Sequence, residues 1–66
     1  MKHMVSNCVR KVRTNRGYSQ LTLAKKIGVS RQTIISLEKG NYTPSIALAL
    51  KIAKILKYKV EDLFKL

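Results

Sequence analysis

One short signature occurs twice, back to back around Gly28: Tyr18-Ser19 with Leu23, then Val29-Ser30 with Ile34. In each copy a serine stands where a helix N-cap accepts a backbone N–H, and the flanking hydrophobes are spaced as a staple across it. Gly28 falls between the copies, where a chain leaving one helix needs positive φ before entering the next. The stretch Ser19 to Gly40 (SQLTLAKKIGVSRQTIISLEKG) therefore reads as two short helices joined by a tight turn. Few folds accept such a pair. The helices must cross steeply, and Ala24 offers the small side chain that close approach requires.

The remaining residues have little material with which to support that pair. A chain of 66 residues forms one domain at most and buries only about 60% of its unfolded surface. Cys8 is the sole cysteine, so no intrachain disulfide can form. No spacing of Cys and His suggests a metal site. Stability must come from helix packing, with a second subunit as a possible contributor. No apolar run reaches the ~18 residues of a membrane span. MKHMVSN lacks the hydrophobic segment of a secretory signal, and a cytoplasmic protein is expected.

Helix 1 is predicted over Ser6 to Arg16, with Ser6 as N-cap and Gly17 ending it. Val5, Val9 and Val12 share one arc with Cys8 at its edge, where it reads as a small core hydrophobe rather than a reactive thiol. Arg13 lies close to the same arc. An arginine there needs an acid partner. In helix 2, Leu21, Ala24 and Ile27 are expected to point inward. In helix 3, Ile34, Leu37 and Glu38 fall on one arc, and Gln32, Ile35, Ser36 and Lys39 on the other.

Asn41-Tyr42-Thr43-Pro44 is turn-like, and helix 4 follows from about Ser45 to Lys57. It is apolar almost all round, interrupted only by Lys51, Lys54 and Lys57, and reads as the centre of the core. A short helix 5 is placed over Glu61 to Leu66, with Glu61 and Asp62 favouring the positive end of its dipole. The expected fold is all-α, with five helices and no strands.

Fourteen Lys and Arg against three Asp and Glu give a net charge of +11. Such an imbalance implies a polyanionic partner, nucleic acid being the commonest. Membrane surfaces and acidic proteins compete for the same charge.

Counting from Gln20, the residues Ala24, Gly28, Ile34 and Leu37 match a helix-turn-helix pattern position by position. With YTPS, LALKIAKIL and VEDLF, the chain from about 7 to 65 resembles the helix-turn-helix family of phage Cro and repressor proteins and their small cellular relatives. The resemblance implies a compact, lambda-repressor-like five-helix domain that binds double-stranded operator DNA as a homodimer. Leu21 and Thr22 depart from it, since relatives usually carry acids there. The family pairs a helix 1 arginine with a helix 3 glutamate at positions matching Arg13 and Glu38, and these two are expected to pair.

Entry of helix 3 into the major groove places Arg31, Gln32 and Ser36 at base edges. Arg31 can fork onto guanine and Gln32 onto adenine, with a phosphate contact the alternative for Arg31. Ile35, an aliphatic on the outward arc, either covers a thymine methyl or packs at the core rim. Phosphates are assigned to Gln20 at the start of helix 2 and to Lys39, Asn41, Tyr42 and Thr43 beyond helix 3. Ser30 and Thr33 are further phosphate candidates, although capping alone would explain Ser30, and Tyr42 could instead anchor its loop. The surplus apolar surface of Leu63, Phe64 and Leu66, with Tyr58 and Val60, forms the candidate dimer surface; the alternative is that these residues close the monomer core, as some of them must.

No arrangement of carboxylates, Ser, Cys or His suggests an enzyme, and neither a cofactor nor a small-molecule effector is evident. The expected function is sequence-specific transcriptional regulation, most simply repression at a palindromic operator. The rival is a DNA-binding antitoxin or accessory factor that acts mainly through a protein partner.

Overall fold

The computed structural model describes residues 6–65. In chain order the elements are β1 (Ser6–Asn7), α1 (Val9–Asn15), α2 (Gln20–Ile27), α3 (Arg31–Glu38), α4 (Ile46–Leu56), α5 (Val60–Leu63) and β2 (Phe64–Lys65). Val5 and Leu66 lie outside the described residues.

The three central helices begin as their sequences dictate. Ser19, Ser30 and Ser45 each adopt an extended backbone, and each side chain accepts the N–H three residues on, from Thr22, Thr33 and Leu48. A cap of this kind stabilises its helix by about 1 kcal/mol. Between α2 and α3, Gly28 takes φ 88°. The Ala24 carbonyl then accepts from both Gly28 N (2.8 Å) and Val29 N (3.0 Å), which ends α2 and turns the chain toward α3. Ala24 is fully buried, as are the staple residues Leu23 and Ile34.

The core joins Val9 and Val12 of α1, Leu23 and Ile27 of α2, and Ile34 and Leu37 of α3 to Leu48, Ile52 and Leu56 of α4 and Leu63 of α5. Cys8, Tyr18, Val60 and Phe64 pack against it from the rim.

Five local expectations are corrected. Leu21 is 48% exposed while Leu23 is fully buried. At about 100° per residue, Leu23, Ile27 and Ala24 span one narrow arc, and Leu21 falls beyond its edge. Helix 4 is not buried all round, because Ile46 is 80% and Leu50 55% exposed. Its buried side carries Leu48, Ala49, Ile52, Ala53 and Leu56, with Ile55 half-buried at the edge, while Ile46, Ala47 and Leu50 face water.

The other three corrections concern the chain ends. Ser6 and Asn7 pair antiparallel with Lys65 and Phe64, so a two-stranded ribbon accompanies the five helices. Helix 1 therefore starts at Val9 rather than Ser6, and the Asn7 Oδ1 accepts the Val9 N–H at 3.1 Å. Helix 5 stops at Leu63 because Phe64 is already extended, at φ −122° and ψ 130°. The carboxyl end of α4 has its own device. Lys57 takes the left-handed conformation at φ 59°, and Arg16 Nε donates to the Leu56 carbonyl at 2.9 Å.

Candidate nucleic-acid interface

The orientation of α3 depends on one carboxylate. Glu38, on its last turn, receives Arg13 Nε on Oε2 at 2.6 Å. Its Oε1 accepts from Arg13 Nη2 at 3.1 Å and from Gln20 Nε2 at 3.2 Å. Arg13 Nη1 donates to the Tyr18 carbonyl at 2.8 Å, so the guanidinium also fixes the turn that leads into α2. The two ionic side chains are only 10% and 4% exposed. A charge so withdrawn from water is tolerated only when its partners are complete, and here they are. The network ties α1, the first residue of α2 and the end of α3 into one rigid arrangement.

Asn7 adds a second tie, which the sequence reading missed. Its Nδ2 donates to the Leu37 carbonyl at 2.9 Å while its Oδ1 holds the start of α1. A short amide two residues before the first residue of α1 was the available signal, but Ser6 competed for the same capping role.

With the inward side of α3 secured, its other side is presented outward. Arg31, Gln32 and Lys39 are exposed, and Ile35, Ser36 and Thr33 are half-buried. The Gln32 amide reaches the Ser36 hydroxyl at 3.4 Å, so these two side chains lie one turn apart on a common line. Ser30 and Thr33 share a hydroxyl contact of 3.0 Å while Ser30 caps α3. Beyond the helix, Asn41, Tyr42 and Thr43 are exposed. Tyr42 is therefore no buried loop anchor. Gln20 is half-buried and its amide is directed to Glu38, so the phosphate role expected of it requires that side chain to turn.

Alongside α3 runs an open groove of about 490 Å³. Its walls are Arg10 of α1, Ser19, Gln20 and Leu21 at the start of α2, and Arg31, Ile35 and Lys39 of α3, with Arg13 and Glu38 also lining it. Arg10 was absent from the expected site. Its spacing of three from Arg13 places both on one side of α1, which is the signal that could have found it.

The candidate dimer residues separate by burial. Tyr58 is exposed, and Val60 and Phe64 are half-buried. Leu63 is fully buried within the monomer, so its assignment to a dimer surface is corrected: it closes the core beneath α4. Among the described residues no cluster of three or more His, Cys, Asp or Glu could hold a metal ion. No helix among them is long and apolar enough to cross a membrane.

Two crossing capped helices around Ala24 and Gly28, with the second set outward by a buried Arg–Glu pair, are the geometry against which known proteins can be compared. A family model described as Helix-turn-helix matches residues 9–63. The chain belongs to the Cro/C1-type helix-turn-helix family. Among relatives, it is 48% identical over 60 residues to YgzD of Bacillus subtilis (strain 168), an uncharacterized HTH-type transcriptional regulator, covering 91% of each chain. The restriction-modification controller protein C.AhdI from Aeromonas hydrophila superposes with a TM-score of 0.78 at 36% identity, covering 85% of each chain. SinR, a master regulator for biofilm formation whose structure was solved in complex with DNA, matches at a TM-score of 0.73 and 32% identity. That match covers 79% of this chain and 84% of SinR. This helix-turn-helix protein is a DNA-binding transcriptional regulator, and the family and the structures it matches are regulators rather than enzymes.

Proposed function

We propose that the protein is a repressor that binds a palindromic operator as a homodimer, with α3 of each subunit in the major groove. The observation that carries this reading is the two-sidedness of α3. Ile34 and Leu37 are fully buried and Glu38 is locked to Arg13, while Arg31 and Gln32 are exposed to water at the amino-terminal end. An arginine and a glutamine there suit bidentate contacts to guanine and adenine, each contributing about 1–3 kcal/mol of discrimination. Ser36 extends the same line, and Ile35 offers its methyl groups to a thymine. Ser30, Thr33, Lys39, Asn41, Tyr42 and Thr43 surround α3 with groups able to hold phosphates. Gln20 joins them once its amide leaves Glu38.

A single recognition helix reads too few base pairs to define a unique site, whereas two helices about 34 Å apart read a palindrome. Dimerisation is supported by apolar surface left in water: Tyr58 with Val60 and Phe64, and Ile46 and Leu50 on α4. A dimer of this size over a promoter excludes polymerase, which is why repression is preferred to activation.

Selection of bound sequences from random DNA, at two salt concentrations, tests the proposal. A palindromic consensus with steep salt dependence is expected. Binding without sequence preference would replace the repressor by a DNA-coating role. Sedimentation at micromolar concentration, with and without the selected DNA, checks the dimer, and a strict monomer in both conditions refutes it.

A further inference from the structure

The groove beside α3 has a wall that the helix-turn-helix motif does not supply, namely Arg10 of α1. Four cations, Arg10, Arg13, Arg31 and Lys39, border it against one acid, Glu38. That acid is already engaged by two N–H groups of Arg13 and the amide of Gln20. The rim charges therefore receive no compensation from the floor. Among the described residues, the side chains of Arg10, Arg31 and Lys39 have no hydrogen-bonding or ionic partner, and all three are exposed. Like charges gathered along one open groove repel each other and raise a positive potential that an anion relieves.

We propose that this groove seats a backbone phosphate of the bound DNA, and that Arg10 is a direct contact to it from outside the motif. The inference rests on the DNA-binding reading and deepens it. A phosphodiester fits better than a free anion for two reasons. The groove is open to solvent rather than an enclosed cavity, so a strand can lie across it. Its walls also include the aliphatic side chains of Leu21 and Ile35, which a deoxyribose would cover and a small ion would not. Leu21 is the aliphatic that the core leaves 48% exposed, and this contact gives it an occupant. Arg31 and Ile35 belong at once to this wall and to the outward side of α3, so a phosphate held here lies next to the bases being read.

Salt titrations of DNA binding by the intact protein, Arg10→Gln and Lys51→Gln decide the matter. Lys51 is exposed on α4 and does not line the groove, so both variants lose one charge but only one loses the contact. Both replaced side chains face solvent, and their unfolding midpoints are expected to stay at the wild-type value. Arg10→Gln is expected to reduce the slope of log K against log salt by about 0.9, with equal loss of affinity for operator and random DNA. Lys51→Gln is expected to leave the slope near wild type. Replacing operator phosphates singly by uncharged methylphosphonates should reveal one position that weakens the wild type but not Arg10→Gln. Equal slopes for the two variants, or methylphosphonate effects identical in wild type and Arg10→Gln, overturn the contact while leaving the DNA-binding reading intact. A wild-type protein that binds no DNA overturns both.

Discussion

Removing the Glu38 carboxylate is the most direct challenge to the buried network. In Glu38→Ala the Arg13 guanidinium keeps only the Tyr18 carbonyl, at 2.8 Å, and loses both of its bonds to the carboxylate. Its side chain is 10% exposed, so water can replace little of what is lost. Breaking a buried ion pair on one side costs about 3–5 kcal/mol. A domain of this size has a total stability of roughly 3–10 kcal/mol, so the variant is expected to be marginal or unfolded. With a urea m-value of about 1 kcal/mol/M, the midpoint should fall by about 3–5 M. The double variant Arg13→Met with Glu38→Leu separates charge from packing. It removes both ions and fills the space with apolar atoms, which is often neutral or stabilising, and most of the lost stability should return. A Glu38→Ala midpoint within about 0.5 M of wild type would refute the energetic role assigned to the pair. A double variant no more stable than the single one would show that packing, not an uncompensated charge, was lost.

Three further outcomes follow from particular contacts. Leu63→Ala should cost about 2–5 kcal/mol in chemical denaturation at any protein concentration, as befits a fully buried core residue rather than a subunit contact. Lys57→Gly should raise stability by about 0.5–1 kcal/mol, because a glycine adopts φ 59° without the strain of a side chain; calorimetry would show the higher Tm. Asn7→Ala should cost about 1–3 kcal/mol, since it frees the Leu37 carbonyl and the Val9 N–H together. Amide exchange at Val9 should accelerate in that variant.

What could be read from the residues was what the chain decides locally. Ser19 and Ser30 begin helices because a hydroxyl three residues before a free N–H closes a short ring, whatever the surroundings. Gly28 was equally legible, since few residues accept φ 88°. Arg13 and Glu38 each lay on an inward arc with no local partner, and the structure joins them at 2.6 Å.

The unread features depend on distant partners or on small rotations. The extended state of Ser6 and Asn7 is imposed by Phe64 and Lys65, at the other end of the chain, and no local pattern announces it. Leu21 and Leu23 differ by about 200° around the helix axis, and Ala24 and Ile27 alone were too few to choose between them. On α4 the exposed Ile46 and Leu50 were indistinguishable from their buried neighbours because nearly every position is aliphatic. Gln20 carries an amide that suits a carboxylate or a phosphate equally, so only the approach of Glu38 could reveal its present partner.

The ribbon of β1 and β2 has a topological consequence. Because Ser6 lies opposite Lys65, the described chain runs as a nearly closed ring, with five helices strung between two adjacent ends. A few added residues would join those ends, and the ring could then be cut in the exposed segment 41–43. Such a circular permutant would begin with α4 and end with the recognition helix α3, every helix keeping its neighbours. The order of helices along the chain is thus one choice among several for the same packed object.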